Sequence, residues 1–492
     1  MIQTSTAQPT TLPVSGARPR HPLRAWLDRV PPGALAWGTA GLFFVLYAAM
    51  SIRRHERIIT AGYDLGIFEE AIRNYAHLHA PVVALKGPGF NILGDHFSPI
   101  LVLLAPVYRV FPTPITLLVA QAALMSLACV PLTRWAHELR GPVAALVVGC
   151  GTGASWGIVK AVSFDFHEIA FAVPLIAFSV TALGHRRWRV AALWALPLVL
   201  VKEDLGLTVA AIGAVMAWQG ARRLGIGLVV AGVAASAVEM FVILPAMNPQ
   251  GGFAYLNQLP GTTAGTGGTS HQLLFALPHL AWPPIKWLLL LMLALPTAFL
   301  GLRSPLTLIC LPTLAWRLLS DNPHYWGVSY HYSAVLMPIV FAGLVDALDP
   351  AKRRLPRRRV RQVLVASTVF TIATIPVFPL HEVVMPSVWT TSPHVRAAKQ
   401  IISLIPDNVT VATSDHIAAQ LTDRTTVSQL CQAVDPSQPP PPLPDWVVDD
   451  STDHDGTGPC PAGESGQMIA QYRAEGYRVV ADRDGIILLR HP

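Results

Sequence analysis

Residues 34–52, ALAWGTAGLFFVLYAAMSI, form an uncharged apolar run of 19 residues, and Arg53 and Arg54 follow it directly. A transmembrane helix needs about 20 predominantly apolar residues, so this run is long enough to cross a bilayer. Similar runs recur along the first three quarters of the chain. Of all residues in the chain, 52% are hydrophobic and only 13% are charged. Globular proteins carry about 25% charged residues. The sequence therefore predicts a polytopic α-helical membrane protein and excludes collagen-like, disordered and small disulfide-rich classes.

About eleven apolar segments are predicted to cross the membrane. Residues 99–111 are also apolar, but 13 residues are too few to cross, so a re-entrant or interfacial helix is expected there. The predicted spans are residues 34–52, 114–132, 142–159, 169–184, 190–201, 205–219, 226–246, 285–302, 305–319, 334–348 and 362–380.

The basic residues predict how these spans are oriented. Outside residues 381–492 the chain holds 29 Lys and Arg against 15 Asp and Glu, whereas residues 381–492 hold 7 against 14, which gives the net charge of +7. The basic residues are scattered among short loops or gathered in 352–361, which excludes a nucleic-acid-binding protein. Short Lys/Arg-rich loops stay in the cytoplasm. We therefore expect a disordered cytoplasmic tail at 1–33, a membrane domain at 34–380 with the outer loop 53–113, and an extracytoplasmic domain at 381–492.

Residues 381–492 are predicted to form a small α/β domain. Cys431 and Cys460 are the two cysteines of this domain. Export permits oxidation, but the sequence leaves open whether the two form a disulfide. The predicted elements are strands at 409–414 and 446–449, helices at 416–422 and 468–475, and a terminal hairpin of 477–481 with 485–489.

Asp64 stands in the motif YDLGIF (63–68), after the first span and at the start of an amphipathic stretch. Such a carboxylate often caps a helix N-terminus, but one held at the membrane surface can also deprotonate an acceptor hydroxyl. Two interpretations also apply to the pair Asp95 and His96, which lies before Pro99. That pair is either helix capping or part of a proton relay or metal pair.

The motif FDFHE (164–168) lies at the predicted outer mouth between two spans. It sets three ionisable groups, Asp165, His167 and Glu168, among aromatic residues at a bilayer boundary, where desolvation is costly. A solvated hairpin more often contains Gly, Asn or Ser. A functional role is therefore favoured over a structural turn.

The motif KED interrupts an otherwise apolar stretch. Either Lys202, Glu203 and Asp204 form a turn whose charges neutralise one another, or the lysine grips a phosphate and the carboxylates orient it. His331 lies in YHY, where an interfacial aromatic belt explains the tyrosines but not the histidine. Glu239 lies inside a predicted span, and an acid at such a depth is a functional hypothesis by default.

Taken in order, these motifs resemble those of a family of bacterial predicted membrane proteins placed in the GT-C glycosyltransferase clan. The resemblance covers roughly residues 60–340 and rests on YDLGIF, DHFSPILVLLAP (95–106), FDFHE, KED and YHY. It implies a GT-C-like fold in which an outer loop after the first span carries a catalytic acid. It also implies a polyprenyl-phosphate sugar as donor, with the lipid between helices and the sugar outside.

On this resemblance Asp64 is the general base of an inverting transfer to an extracytoplasmic acceptor, which is a cell-envelope glycan, a lipid or a protein. Many members of the clan place two adjacent acids at this point. Here the neighbour is Tyr63, so either Asp95 or Asp165 supplies the second acid or the mechanism differs from that of the clan.

The leaving phosphate needs a cation, and the first candidates are Lys202 and His331. No cofactor is required by transfer from a lipid monophosphate, although the Asp and His content allows a divalent metal. The remaining residues expected to bind phosphate or substrate are His96, His167, Glu168, Glu203, Asp204 and Tyr63.

Two functions from other classes stay open. A transporter or lipid flippase would carry ionisable groups near the midplane, often on broken helices and in paired repeats. In this sequence only Glu239 lies deep in a predicted span, and no internal repeat is evident. A non-catalytic membrane scaffold would use residues 381–492 as a docking module.

The predicted orientation can be tested with reporter fusions. Fusions at Arg354 and at His381 should report opposite compartments, the cytoplasm for Arg354 and the outside for His381, because one predicted span separates them. The same compartment for both fusions would overturn the topology.

Overall fold

The computed structural model describes residues 29–249, 251, 280–431, 442–453, 460 and 463–492, so most of the predicted tail 1–33 lies outside the described residues. Within these ranges five helices are long and apolar enough to cross a bilayer, and six shorter apolar helices accompany them. A further helix, Arg357–Thr374, leads towards the C-terminal domain. The long helices are Pro32–Glu56, Pro114–Arg140, Pro142–Ser163, Arg222–Met247 and Pro323–Ala347. The shorter ones are Pro99–Val110, Ile169–Gly184, Trp188–Leu200, Leu205–Trp218, Ile285–Thr297 and Pro305–Leu319.

Proline and glycine set the boundaries of several helices. The helix Pro114–Arg140 ends at Gly141, whose φ of +78° is a conformation that glycine adopts without a steric penalty. Pro142 then begins the next helix, at a position where the missing N–H would have no partner in any case. The chain therefore reverses within one residue.

The basic loops that the sequence assigns to one side of the membrane lie together. The Arg140 Nε atom donates a hydrogen bond to the Leu348 carbonyl over 2.7 Å. The Lys352 Nζ atom lies 3.5 Å from the Gly184 carbonyl, and Arg353 donates to the Arg303 carbonyl. The loops that carry the five motifs are at the other end of the helices. The bundle thus has one basic end and one end with mixed charge.

The first outer loop folds back onto the bundle. It begins with a π-helical turn, Gly62–Gly66, that continues into the helix Ile67–Ala76. The apolar segment predicted to be interfacial forms a 3₁₀ helix, Pro99–Leu104, and a short α-helix, Ala105–Val110. Its Tyr108 hydroxyl donates to Glu69 Oε1 over 2.9 Å, which ties this segment to the preceding helix.

The C-terminal domain contains a five-stranded mixed sheet with strand order β2-β1-β3-β5-β4. β1 pairs in parallel with β2 and β3, and β5 pairs antiparallel with β3 and β4. The strands are β1 Thr410–Thr413, β2 Thr426–Gln429, β3 Trp446–Asp450, β4 Arg478–Arg483 and β5 Ile486–Arg490. The helices beside them are Pro393–Ile402, Asp415–Ala418 and Glu464–Ala474.

Most of these elements coincide with the predicted ones, including the terminal hairpin, but β2 and the helix Pro393–Ile402 were not predicted. β2 is only four residues long, TVSQ, so its alternation is too short to stand out from a loop. Cys431 and Cys460 are joined by a disulfide, which decides the question that the sequence left open.

The outer loop and the C-terminal domain share one hydrophobic cluster. Ile67, Ala71 and Leu85 of the loop belong to the same buried cluster as Ile417 and Leu421 of the domain. Apolar side chains packed in this way leave water together, so the two segments stabilise each other. The domain is therefore seated on the loop that carries Asp64.

Two helices approach very closely directly after the KED motif. Leu205–Trp218 and Arg222–Val238 form an antiparallel hairpin. A Cβ atom added to Gly213 would lie 2.7 Å from the Gly225 carbonyl oxygen of the facing helix. Small residues allow such contact between membrane helices, where van der Waals packing is the main attraction. The hairpin thereby fixes where the KED motif emerges.

This packing predicts that Gly213→Ala lowers the free energy of unfolding by roughly 1–3 kcal/mol, the usual cost of overpacking. The matched control is Gly227→Ala in the same hairpin, where an added Cβ meets no atom within 4 Å. That variant should be neutral or stabilising, because alanine favours helix over glycine. Thermal unfolding in detergent measures both, and equal effects would contradict the close contact.

Candidate functional site

A cavity of about 460 Å³ lies at the end of the bundle that carries the motifs. Small-molecule sites typically enclose about 300–1,000 Å³, so the volume is that of a ligand pocket. All five motifs contribute to its wall. The structure brings ten of the eleven predicted site residues to this cavity: Tyr63, Asp64, Asp95, His96, His167, Glu168, Lys202, Glu203, Asp204 and His331.

Asp64 lies in the π-helical turn and faces His167. Its Oδ1 atom is 3.1 Å from His167 Nε2, and 27% of the Asp64 side chain is exposed whereas only 4% of the histidine is. Among the described residues the Asp64 carboxylate accepts no hydrogen bond from a helix N-terminus. The capping interpretation therefore has no support in this geometry, and the carboxylate is accessible from the cavity.

His167 is one of two stacked imidazoles. The His167 and His331 ring centroids are 3.7 Å apart, and the Tyr332 ring lies 4.1 Å from that of His331. Both histidines are more than nine-tenths buried. The His331 ring thereby packs against the imidazole that lies beside Asp64.

Lys202 pairs with a residue from a different loop. Its Nζ atom is 2.9 Å from Glu168 Oε1, and both side chains are largely buried. Burial alone would lower the pKa of Lys202, but the carboxylates of Glu168, Glu203 and Asp204 outweigh burial and raise that pKa. The ammonium group consequently keeps its charge. The motif is not a turn in which neighbouring charges simply neutralise one another.

The two acids of the KED motif also bind other elements. Glu203 Oε1 is 2.9 Å from His96 Nδ1, and Glu203 Oε2 accepts a hydrogen bond from the Phe97 amide over 3.2 Å. Asp204 Oδ2 accepts one from the Trp316 indole over 3.0 Å. These contacts join three parts of the chain in the wall of the cavity.

Asp165 is the exception among the predicted site residues, because it does not line the cavity. Its Oδ2 atom accepts a hydrogen bond from the Ala61 amide over 2.6 Å, and its own φ is +60°. Burial raises the pKa of Asp165 to about 7, although the Ala61 N–H acts in the opposite direction. The carboxylate holds the loop ahead of Asp64, so of the two candidates for a second acid only Asp95 lines the cavity.

Sequence reasoning missed Lys86. Its Nζ atom lies 2.8 Å from Asp95 Oδ2 and sits over the rings of Tyr63 and Phe90 at 5.6 and 5.7 Å. A signal was available, since Lys86 is the only lysine in the outer loop 53–113. The cavity therefore holds two lysines, each paired with a carboxylate.

Arg317 was missed as well, although it shapes the YHY segment. The side chain is fully buried. It donates hydrogen bonds to the Tyr325 carbonyl over 2.6 Å and to Ser333 Oγ over 3.1 Å. A buried arginine in a predicted span is itself the signal. Its hydrogen bonds hold the loop that presents His331.

Glu239 lies beside the cavity rather than in its wall. It begins a π-helical turn, Glu239–Ile243, and the next residue, Met240, contributes to the lining. Its side chain is buried. Among the described residues no group of three or more His, Cys, Asp or Glu side chains is arranged as a metal site. Metal dependence stays a prediction.

In chemical terms the site offers a partly exposed carboxylate for proton removal, with a histidine that orients it. Lys202 and His331 line the same cavity and can stabilise a developing negative charge. Trp316, Tyr325 and Tyr332 form an aromatic wall, with ring centroids 5.0 and 4.9 Å apart in the two edge-to-face pairs. Such an arrangement is able to support the transfer of a group.

No curated protein matches the sequence. Among solved structures the chain is similar to ArnT from Cupriavidus metallidurans bound to undecaprenyl phosphate, with a TM-score of 0.52 and 14% identity, over 92% of this chain and 98% of that chain. The apo state of that protein gives a TM-score of 0.49 at 13% identity, with the same coverage. The likeness to the lipid-bound structure is evidence for the fold alone. It confirms the predicted GT-C-like helical membrane fold with a small C-terminal sheet domain.

A family model described as "Predicted membrane protein (DUF2079)" matches residues 54–488, which include all five motifs. The family predicted from the ordered motif set is thereby confirmed. The chain belongs to the DUF2079 family of predicted membrane proteins.

Proposed function

We propose that this protein is a glycosyltransferase of the bacterial plasma membrane, which transfers a sugar from a polyprenyl-phosphate donor to an extracytoplasmic acceptor with inversion. The observation that carries the proposal is the cavity itself, which is lined by Asp64 and His167 together with Lys202 and His331. A GT-C-like neighbour bound to undecaprenyl phosphate supports the choice of donor. The acceptor is a cell-envelope glycan, a lipid or a protein.

In the proposed reaction Asp64 removes the proton from the acceptor hydroxyl. The acceptor oxygen then forms a bond to the anomeric carbon on one face, while the bond from that carbon to the phosphate oxygen breaks on the other. The polyprenyl phosphate leaves with the electron pair, and the proton stays on Asp64 until solvent takes it up. His167, 3.1 Å away, orients the carboxylate.

Lys202 and His331 are the proposed contacts of the leaving phosphate. Lys202 is charged and largely buried, so its attraction for a phosphate is less screened than that of a surface lysine. In the structure the Lys202 ammonium group forms an ion pair with Glu168. A phosphate would share or take over this contact. His96 and Lys86 lie on the same wall and can contact the donor's polar part.

The arrangement of charge favours transfer over transport. The paired ionisable residues of the cavity come from loops at one end of the bundle, whereas transporters commonly hold them at the midplane on broken helices. Tyr63, Lys86 and Asp95 all belong to the outer loop. In the proposed orientation, with the N-terminus inside and the C-terminal domain outside, this end faces the acceptor.

Asp64→Asn should abolish most of the transfer while leaving the fold and donor binding nearly intact. A general base contributes typically 10²–10⁴-fold, and asparagine has almost the same shape but cannot accept the proton. The measurement uses purified protein with a labelled polyprenyl-phosphate sugar, next to a thermal-melt control. Asp407→Asn is the matched substitution, because the Asp407 side chain is 68% exposed in the C-terminal domain.

Transfer at the wild-type rate by Asp64→Asn would move the base to Asp95. If the wild-type protein transferred sugar from no polyprenyl-phosphate donor, the proposed function itself would fail.

Lys202→Ala should weaken donor binding by roughly ten- to a hundredfold, which is the worth of a hydrogen bond to a charged group, and should affect acceptor binding less. The comparison variant is Glu168→Gln, which frees the ammonium group and should bind the donor at least as tightly as the wild type. Binding of a fluorescent polyprenyl phosphate measures both. An unchanged donor affinity in Lys202→Ala would remove this residue from the phosphate site.

A further inference from the structure

The carboxyl end of β1 faces the turn that carries Asp64. Asp415 follows β1, and its Oδ1 atom accepts hydrogen bonds from the Tyr63 amide over 3.0 Å and from Gln429 Nε2 over 2.8 Å. The residue is only 6% exposed. We propose that the C-terminal domain is part of the catalytic site, and that Asp415 is a positioning residue that holds the backbone next to Asp64.

The turn is held from both sides. On the membrane side Asp165 accepts the Ala61 N–H, and on the domain side Asp415 accepts the Tyr63 N–H. These two amides belong to the residues on either side of Gly62, and Asp64 follows directly after Tyr63. Two buried carboxylates from distant parts of the sequence therefore fix the peptide units before the proposed base.

Gly62 shows how closely the domain approaches. A Cβ atom at this position would lie 2.5 Å from the Ala418 Cβ atom and 3.2 Å from the Asp415 carbonyl oxygen. Gly62 is not among the residues with positive φ. Glycine is thus required here for space and not for backbone conformation, so the domain surface is fitted to the turn.

Further contacts follow the same helix away from Asp64. The Thr422 hydroxyl donates to Glu69 Oε2 over 2.5 Å, and Arg73 donates to the carbonyls of Thr422 and Thr425 over 2.5 and 3.0 Å. Glu69 is fully buried. The domain therefore grips one continuous segment, which runs from the turn into the helix Ile67–Ala76.

The catalytic consequence rests on the proposed function, because it takes Asp64 as the base. Displacement of a reacting group by about 1 Å can cost roughly a hundredfold in rate. Loss of the Asp415 contact would let the turn move in this range while Lys202 and His331, the proposed contacts of the donor phosphate, belong to other segments and keep their places. The expected signature is a lower kcat with an unchanged affinity for the donor.

The test compares three single variants of the full-length protein. Asp415→Ala removes both hydrogen bonds and should lower kcat by roughly ten- to a hundredfold. Asp415→Asn keeps a carbonyl oxygen in place of Oδ1 and should retain most of the activity. The matched control is Asp445→Ala at the opposite end of the sheet, where Asp445 Oδ2 accepts hydrogen bonds from the Thr410 amide and hydroxyl over 2.8 Å. This control should keep the wild-type kcat.

Loss of activity in Asp415→Asn equal to that in Asp415→Ala would overturn the positioning role, since a carboxylate that acts by its charge would then be required. Wild-type kcat in Asp415→Ala would overturn it as well.

Hydrogen–deuterium exchange tests the contact independently of any enzyme activity. The amides of residues 61–68 should exchange faster in Asp415→Ala than in the wild type and in Asp445→Ala. Unchanged exchange would overturn the proposed grip. Faster exchange in a protein that transfers no sugar would leave the grip established and overturn the proposed function, so the two failures are distinguishable.

A pair of size substitutions provides the second line of evidence. Gly62→Ala should lower kcat because its methyl group collides with Ala418, and adding Ala418→Gly removes the colliding atom. The double variant should recover a substantial part of the lost activity and of the amide protection. A double variant no better than Gly62→Ala alone would contradict a fit between the domain and the turn.

Discussion

The buried ion pair between Lys202 and Glu168 is the interaction on which the site depends most. Each partner comes from a different loop between membrane helices, and each would be costly to leave uncompensated at the edge of a bilayer. Pairing them forces the KED and FDFHE loops together, which in turn brings His167 next to Asp64. The same constraint accounts for the other pairs of the cavity, since charged or polar groups in low dielectric must find partners.

Much of this site could be predicted from the sequence, because ionisable residues in a chain with so little charge stand out. The apolar periods locate the helices, the arginines separate the two ends of the bundle, and the motifs mark ten of the residues that line the cavity. The sequence does not predict which ionisable side chains pair with each other. The local interpretation joins Lys202 to its neighbours in the chain, whereas its partner in the structure is 34 positions away.

Roles that depend on long-range packing were hidden for the same reason. Asp165 carries the same chemistry as Asp64 in the sequence, and only the fold turns its carboxylate towards the Ala61 amide. The domain boundary near residue 381 stays a prediction, and the charge pattern that suggests it does not reveal that the outer loop and the sheet domain share a hydrophobic cluster. An apolar stripe on a helix predicts that this surface is buried, but it does not predict which segment of the chain packs against it.

Asp64, the proposed base, lies on a short turn that is held between the membrane bundle and the outer domain, and the cations of the adjoining cavity are the proposed contacts of a phosphate. This proposed phosphate site is tested most directly by an experimental structure of the protein with a polyprenyl phosphate bound. We expect density for the phosphate within hydrogen-bond distance of Lys202 and next to His331, with the lipid chain leaving between the helices. A phosphate bound away from this cavity, with the contact between Lys202 and Glu168 undisturbed, would contradict the account.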